Sequence, residues 1–346
     1  MEAGGRAAIS VGTRPRWPRE DRSLPFKHHA ARRHRILRAQ YRVRNWPAYD
    51  AGLRRRGDLT LWLDEAAIAG WQAAPRTTPG GQARYSDLAI ELVLTLRLVF
   101  HLALRQAEGF VGSVLRLLGL ELSIPDHTTL SRRGRGFAGR RPRVVPHGPL
   151  HLLLDSTGMK LFGQGEWQEE KHGRARRSWR KLHLAFDADT GEIVASLLTG
   201  NDVDDAGRVP DLLGQIEGEI ASVMADGAYD SAPTYQAIAH QQPEQPPTVT
   251  IPPRSSVVPG DQADGPPTQR DWHIRHIRDQ GRMAWQKATG YGRRSLAETG
   301  IGRYKAAIGP RLRARTLAGQ QGEAAIAVEV LNRMIRTAKP ISVRVA

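Results

Sequence analysis

Three carboxylates stand where this sequence could do metal-assisted chemistry. Asp155 closes the apolar run Leu150 to Leu154, and Asp226 closes Val223-Met224-Ala225. A carboxylate just past a buried strand is held rigidly at a sheet edge, where ligands of mixed α/β sheets bind. Two such acids on neighbouring strands can converge on a hard divalent cation, which takes oxygen ligands. Aspartate is also a common turn residue after a strand, and either acid alone is open to that reading. The third acid, Glu298, belongs to the series Tyr291, Arg294, Glu298, Lys305, spaced 3, 4 and 7. At about 100° per residue these four fall within an arc of about 60° if the stretch is one helix, and Lys287 joins them. One carboxylate among cations and a phenol is poor core material. It suits a metal ligand flanked by phosphate contacts, or an exposed helix with an Arg294–Glu298 pair at i, i+4. Asp202, Asp204 and Asp205 follow Gly200-Asn201 and read as a turn and helix start, outside the site. Asp230 reads as the cap of a helix beginning near Pro233.

The elements that must position these groups are legible in the hydrophobic pattern. Leu150 to Asp155, Trp179 to Phe186, Glu192 to Leu198, Val223 to Asp226 and Val249 to Ile251 read as strands, with a turn over Asp187 to Gly191. Val209 to Ile216 and Pro233 to His240 read as helices, and the pattern from about Gln269 to Arg336 is helical. This predicts one mixed five-stranded sheet with helices on its faces. Residues 46–135 read as all-helical. Asp58 or Thr60 opens a short helix, Ser86 caps a long one running to about Ala107, Gly109 interrupts, and Pro125-Asp126 starts another. The last member carries Ser131-Arg132-Arg133 and is similar to a helix-turn-helix reader, or to a plain bundle with a basic edge. Residues 136–148, rich in Arg, Pro and Gly, read as a linker. The expected organisation is an arm over 1–45, a helical DNA-binding domain over 46–135, the linker, a catalytic domain over 149–338 and a tail over 339–346.

The charge supports a phosphate-rich partner. Lys plus Arg is 51 and Asp plus Glu is 35, a formal net charge of +16 over 346 residues. Residues 1–45 carry 12 basic against 3 acidic side chains with no apolar period, which predicts a disordered basic arm. With no cysteine, a disulfide scaffold, a thiolate metal site and a cysteine nucleophile are excluded, and a reducing cytosol suits the chain. The most apolar stretch, Leu88 to Leu104, is broken by Glu91, Arg97 and His101, so no membrane span is expected. The N-terminus has no signal-peptide pattern.

At these residues the chain resembles a family. Asp155, Asp226 and Glu298 are similar to the DDE triad of bacterial insertion-sequence transposases. Tyr291-x2-Arg294-x3-Glu298-x6-Lys305 resembles the signature of the insertion-sequence-four and insertion-sequence-five groups, with no departure in spacing. Asn45-Trp46-Pro47-Ala48-Tyr49, the stretch Gly57 to Glu65, Trp179 to Leu184, Ala225 to Asp230 and Arg293 to Thr299 resemble the insertion-sequence-five family, near the element nine-oh-three. The likeness covers residues 45–346. The first 40 or so residues stand as an addition, and Gly300 and Gly302 replace residues better suited to a helix.

The resemblance implies an RNase H-like core, with Asp155 on the first strand, Asp226 on the fourth and Glu298 on a following helix. It implies cleavage of phosphodiester bonds at element ends and attack of the freed 3′-hydroxyl on target DNA. Two Mg²⁺ ions, with Mn²⁺ as a substitute, would be held by Asp155, Asp226 and Glu298. Tyr291, Arg294 and Lys305 would hold phosphates, and Trp285 would stack on a distorted terminal base or pack in the core. The implied partners are double-stranded DNA at element ends and target and a second copy of the chain, in a bacterial, nucleoid-associated cytoplasmic setting. A site-specific DNA-binding protein that has lost catalysis is the alternative. Loss of a triad acid would mark it, and none is lost.

Overall fold

The computed structural model describes residues 40–63, 65–77, 79–144, 148–162, 179–254, 257–260 and 268–345. Up to residue 39 the expected basic arm lies outside the described residues, as do 145–147 of the expected linker. The chain divides into two compact units, Met1–Trp46 with Pro340–Ala346, and Pro47–Lys339. In the first, β1 (Gln40–Val43) pairs antiparallel with β8 (Ser342–Val345), Gln40 opposite Val345. Residues 40–43 are therefore strand rather than disordered arm, because the alternating C-terminal segment supplies their backbone partners.

The second unit, from Pro47, holds the rest of α1 (Trp46–Arg55), then α2 (Leu59–Trp62), α3 (Glu65–Ala69), α4 (Asp87–Val99), α5 (Leu104–Leu117) and α6 (His127–Gly134). Its starts follow capping chemistry. Asp58 accepts from the Thr60 amide, Ser86 from Ala89, and Asp126 from Thr128 and Thr129. The long helix expected to run from Asp87 to about Ala107 breaks at Phe100 to Ala103, where His101 adopts a positive φ of 54°. Gly109, expected to interrupt, lies inside α5.

The sheet has β2 (Leu150–Leu161), β3 (Trp179–Asp187), β4 (Ile193–Gly200), β5 (Ile220–Met224), β6 (Thr248–Thr250) and β7 (Arg311–Leu312). Its order is β4-β3-β2-β5-β6, antiparallel from β4 to β2 and parallel from β2 to β6. The sheet is six-stranded rather than five. β2 runs on past Asp155 to Leu161, beyond the reach of β5, and its bare edge there pairs with β7. Helices α7 (Val209–Leu213) and α8 (Ala232–Gln241) pack with one face of the sheet, through Val209, Leu212 and Ile238 against Leu152, Leu154 and Val223. After β6 come α9 (Gln269–Gln280), α10 (Arg282–Thr289), α11 (Ser295–Ala307) and α12 (Leu317–Thr337).

The second face carries Leu153, Leu182, Leu184 and Phe186, which share one core with Trp62, Trp71, Leu96, Leu115 and Leu130 of the N-terminal helices and with Ala297, Tyr304, Val328 and Leu331 of α11 and α12. The composition change at residues 136–148 therefore separates elements that pack together, since the apolar stripes of α4 and α6 are buried in the same core as that sheet face. No helix among the described residues is long and apolar enough to cross a membrane.

Candidate active site

Side chains alternate along β2, so Asp155 shares the face of Leu153, the one on which α11 packs. The parallel register sets Met224 opposite Leu153, which brings Asp226, two residues on, level with Asp155. Asp226 caps a short 3-10 turn, Gly227–Tyr229, by accepting from the Ala228 amide. Glu298 lies in the first turn of α11. Gly300, one residue past its neighbour Thr299, permits that placement. A Cβ there would lie 2.4 Å from the Phe186 ring, so only glycine lets the helix sit this close to β3.

The three acids converge on one guanidinium. Arg294 donates to Glu298 Oε1 at 2.8 Å, to Asp155 Oδ2 at 3.3 Å and to Asp226 Oδ2 at 3.4 Å. Its side chain is 18% exposed and that of Glu298 65%, so the i, i+4 pair has one exposed partner, and Arg294 reaches the two aspartates as well. Burial pushes the Asp155 carboxyl up from the ordinary range, and the charges of Asp226 and Glu298 push it further, against the pull of Arg294. Burial alone would lower the Arg294 pKa, but the acids and Tyr291 raise it. The donor set is hard carboxylate oxygen, which suits Mg²⁺ by its chemistry. Among the described residues, no three acidic or histidine side chains are gathered closely enough to hold a metal ion. The acids face a cation, and in this arrangement that cation is Arg294.

The signature stretch is not one helix. Gly290, left-handed at φ 65°, ends α10. Tyr291–Arg294 is a 3-10 turn, and α11 begins at Ser295. Lys287 and Tyr291 are thereby removed from a common helical arc with Glu298. Tyr291 stays beside the site, its phenol pushed up by burial, with the charges of Asp226 and Asp155 contributing. Lys305 is two turns further along α11, about 10 Å on at 1.5 Å per residue, and makes no ion pair with the three acids. Of its two readings, Trp285 takes that of packing in the core. Its indole is fully buried, donates to His273 Nδ1 at 2.9 Å and packs 5.0 Å from the Tyr291 ring. With its faces covered by protein it has none to offer a base, and it supports Tyr291 from beneath.

Behind Asp155 lie His183, which from its mid-strand place in the sequence reads as structural, and Asp205, which sequence reasoning leaves outside the site. His183, opposite Ser156 on β3, is fully buried, with Nε2 2.8 Å from Thr199 Oγ1 and Nδ1 3.1 Å from Asp205 Oδ1. Burial pushes the Asp205 carboxyl up, but hydrogen bonds from His183 and Ser156 and the charge of Lys181 outweigh it and hold the pKa low. Tyr229 is buried, and its hydroxyl has no partner among the described residues. The only available signal was Asp205 in an acid cluster, and spacing alone gives no reason for it to turn back to β3. Asp230 does not cap α8, since Ser231 does. Asp230 is buried and binds Arg270 through both oxygens, at 2.7 and 3.1 Å.

Two family models, both described as transposase DDE domain, match the chain, one over residues 54–164 and the other over residues 146–333. The second covers just over half of the chain and contains Asp155, Asp226 and the whole stretch from Tyr291 to Lys305. Among solved structures, the chain is similar to that described as "Cryo-EM structure of piggyBac transposase synaptic complex with hairpin DNA". Identity is 11%, with 86% of this chain and 77% of that chain covered and a TM-score of 0.38.

Proposed function

The chain belongs to the transposase DDE-domain family, and from that premise we propose that it binds the terminal inverted repeats of an insertion sequence, cleaves phosphodiester bonds at the ends and joins the 3′-hydroxyls to target DNA. The subgroup we assign is the insertion-sequence-five family, on the spacing from Tyr291 to Lys305 and the stretches around Asp226 and Glu298. The sheet order, with Asp155 on its first strand in sequence and Asp226 past its fourth, supports an RNase H-like reading.

The observation that carries the proposal is the meeting of Asp155, Asp226 and Glu298, from two strands and a helix, on the Arg294 guanidinium. These three acids would hold Mg²⁺, which when bound supplies activation of the nucleophile and stabilisation of the leaving oxygen. The chain's own residues do the positioning. Asp155 is fixed by β2 and by the β3 and β5 strands beside it. Arg294 would exchange its carboxylate partners for the scissile phosphate, whose two oxygens fit a guanidinium fork. Tyr291, propped on Trp285, and Lys305, further along α11, would hold neighbouring phosphates. Two element ends call for two copies of the chain, acting on nucleoid DNA in the bacterial cytoplasm.

Purified protein incubated with cognate element ends and Mg²⁺ should nick at the terminus. Asp155→Asn, Asp226→Asn and Glu298→Gln should each abolish nicking while end binding persists. A Glu298→Gln protein that cuts at the wild-type rate overturns the assignment, and a wild-type protein that binds ends without cutting favours a silent DNA-binding descendant.

A further inference from the structure

We propose that the cleft between α4, α5, α6 and the start of α12 is a binding site for the phosphodiester backbone of duplex DNA, separate from the acids. The cleft has a volume of about 640 Å³ and is lined by Arg97, Arg105, Arg132, Arg135, Arg313 and Arg315, with Glu323 as the one lining carboxylate. Glu323 offsets only one of their six charges. It accepts from the backbone amides of Arg313 and Ala314 at 2.8–3.1 Å, and Arg97 approaches it only to 3.9 Å. The Arg97 side chain is 9% exposed and its Nε has no partner among the described residues. A guanidinium this buried and this loosely paired is costly, and a bound anion offsets that cost. Arg313 donates to the neutral carbonyls of His101 and Leu102, so its charge also remains. Arg105, Arg132, Arg135 and Arg315 are exposed and have no ion-pair partner among the described residues. Thr316 caps the 21-residue α12 at the cleft, adding the positive end of a long helix.

Six guanidinium groups against one carboxylate favour a polyanion, and the guanidinium fork fits phosphate oxygens as well as carboxylate ones. Arg133, which could have read base edges, is committed to Asp87 at 2.6 Å and to the Tyr85 carbonyl. Phosphate contacts carry no sequence information, so a cleft that binds through them holds the backbone without reading sequence. Its distance from the acids suits one duplex engaging both. Leu312, beside Arg313, pairs with Leu161, six residues past Asp155 on β2. At about 3.3 Å per residue that is about 20 Å, or about six base-pair steps. The choice of DNA as the polyanion rests on the function proposed above.

The test is the salt dependence of binding of the full-length chain to a labelled 30-base-pair duplex, by fluorescence anisotropy. The double variant Arg132→Ala/Arg315→Ala is compared with Arg55→Ala/Arg116→Ala, which removes the same charge from exposed helix positions outside the cleft. The cleft variant should flatten the plot of log K against log salt by about 1.8, at about 0.9 per phosphate contact. Its affinity should fall about equally for unrelated sequences. The second variant should keep the wild-type slope. Arg132→Lys/Arg315→Lys should keep the slope too, which guards against a folding defect. Equal slopes for the two alanine variants overturn the proposal. So does a poly-glutamate probe whose binding the cleft variant loses while its DNA slope stays wild-type, because the partner is then an acidic polypeptide. Nicking by the wild-type chain is scored separately. Equal slopes with nicking intact reject the cleft alone, and a slope change in a chain that never nicks keeps the cleft and rejects the transposase reading.

Discussion

At the scale of single residues, Arg294 is the counter-ion that allows three carboxylates to approach one another without a metal. Removing one partner from a part-buried cluster leaves the remaining charges facing each other. Arg294→Ala should therefore destabilise the metal-free protein by on the order of 1–3 kcal/mol at neutral pH. Because the same cation competes with metal for the acids, the variant should bind Mn²⁺ more tightly than wild type, and Mn²⁺ should raise its melting temperature more. Calorimetric titration and melting curves in EDTA and in Mn²⁺ check both. Unchanged Mn²⁺ affinity would place the guanidinium elsewhere in solution. The raised Asp155 pKa gives a second expectation. With its folded-state value above the ordinary one, the folded protein binds more protons in the window between the two. Stability contributed at this site is thus present below the ordinary carboxylate range and lost as pH rises through the folded-state value. Asp155→Asn, in EDTA, should gain melting temperature over wild type above that window and gain nothing below it. The three acids and Arg294 were legible in the sequence because a strand-end aspartate and an i, i+4 pair leave a pattern. Their mutual contact was not, because residues 155, 226 and 294 meet only through the register of β2 and β5 and the approach of α11.

At the scale of elements, the sequence pattern located most strands and caps but misjudged continuity. Spacing treats 287–305 as one helix, whereas Gly290 turns left-handed and a 3-10 turn follows, so Tyr291 and Arg294 reach the acids from a corner and not from a helix face. Gly300 and Gly302, which propensity counts as equal defects, have opposite meanings. The Cβ of an alanine at 300 would meet three atoms of the buried Phe186 ring at 2.4–2.9 Å, while at 302 nothing lies within 4 Å. Gly302→Ala should stabilise the protein by up to about 1 kcal/mol through helix propensity. Gly300→Ala should lose about 1–3 kcal/mol, because overpacking outweighs the same gain. It should also slow nicking, since α11 carries Glu298. Thermal melts of the two variants give opposite signs if α11 lies against β3 as described, and equal gains if it does not.

At the scale of the whole molecule, the sheet was readable from five apolar runs, and its partners were not. Local composition marks 136–148 as a boundary, yet Trp62, Trp71, Leu96 and Leu130 before it are buried in the same core as Leu153, Leu184, Phe186 and Leu331 after it. A linker signal reports what the backbone can do locally. It carries no information about which apolar faces meet across it. An ion pair crosses the same boundary, Arg97 with Glu323. A fragment of residues 149–338, the extent that composition suggests for a catalytic domain, would expose the face of α12 that packs against α4 and α6. At about 25 cal/mol per Å² of apolar surface, even a few hundred Å² uncovered is comparable with the whole stability of a domain. The fragment should therefore lack a cooperative thermal transition and bind a hydrophobic dye. Residues 47–339 should melt in one transition whose midpoint is the same by near-UV and far-UV circular dichroism. Two resolved transitions in that longer chain, or a fragment 149–338 that melts cooperatively, would show that the helices and the sheet hold separate cores.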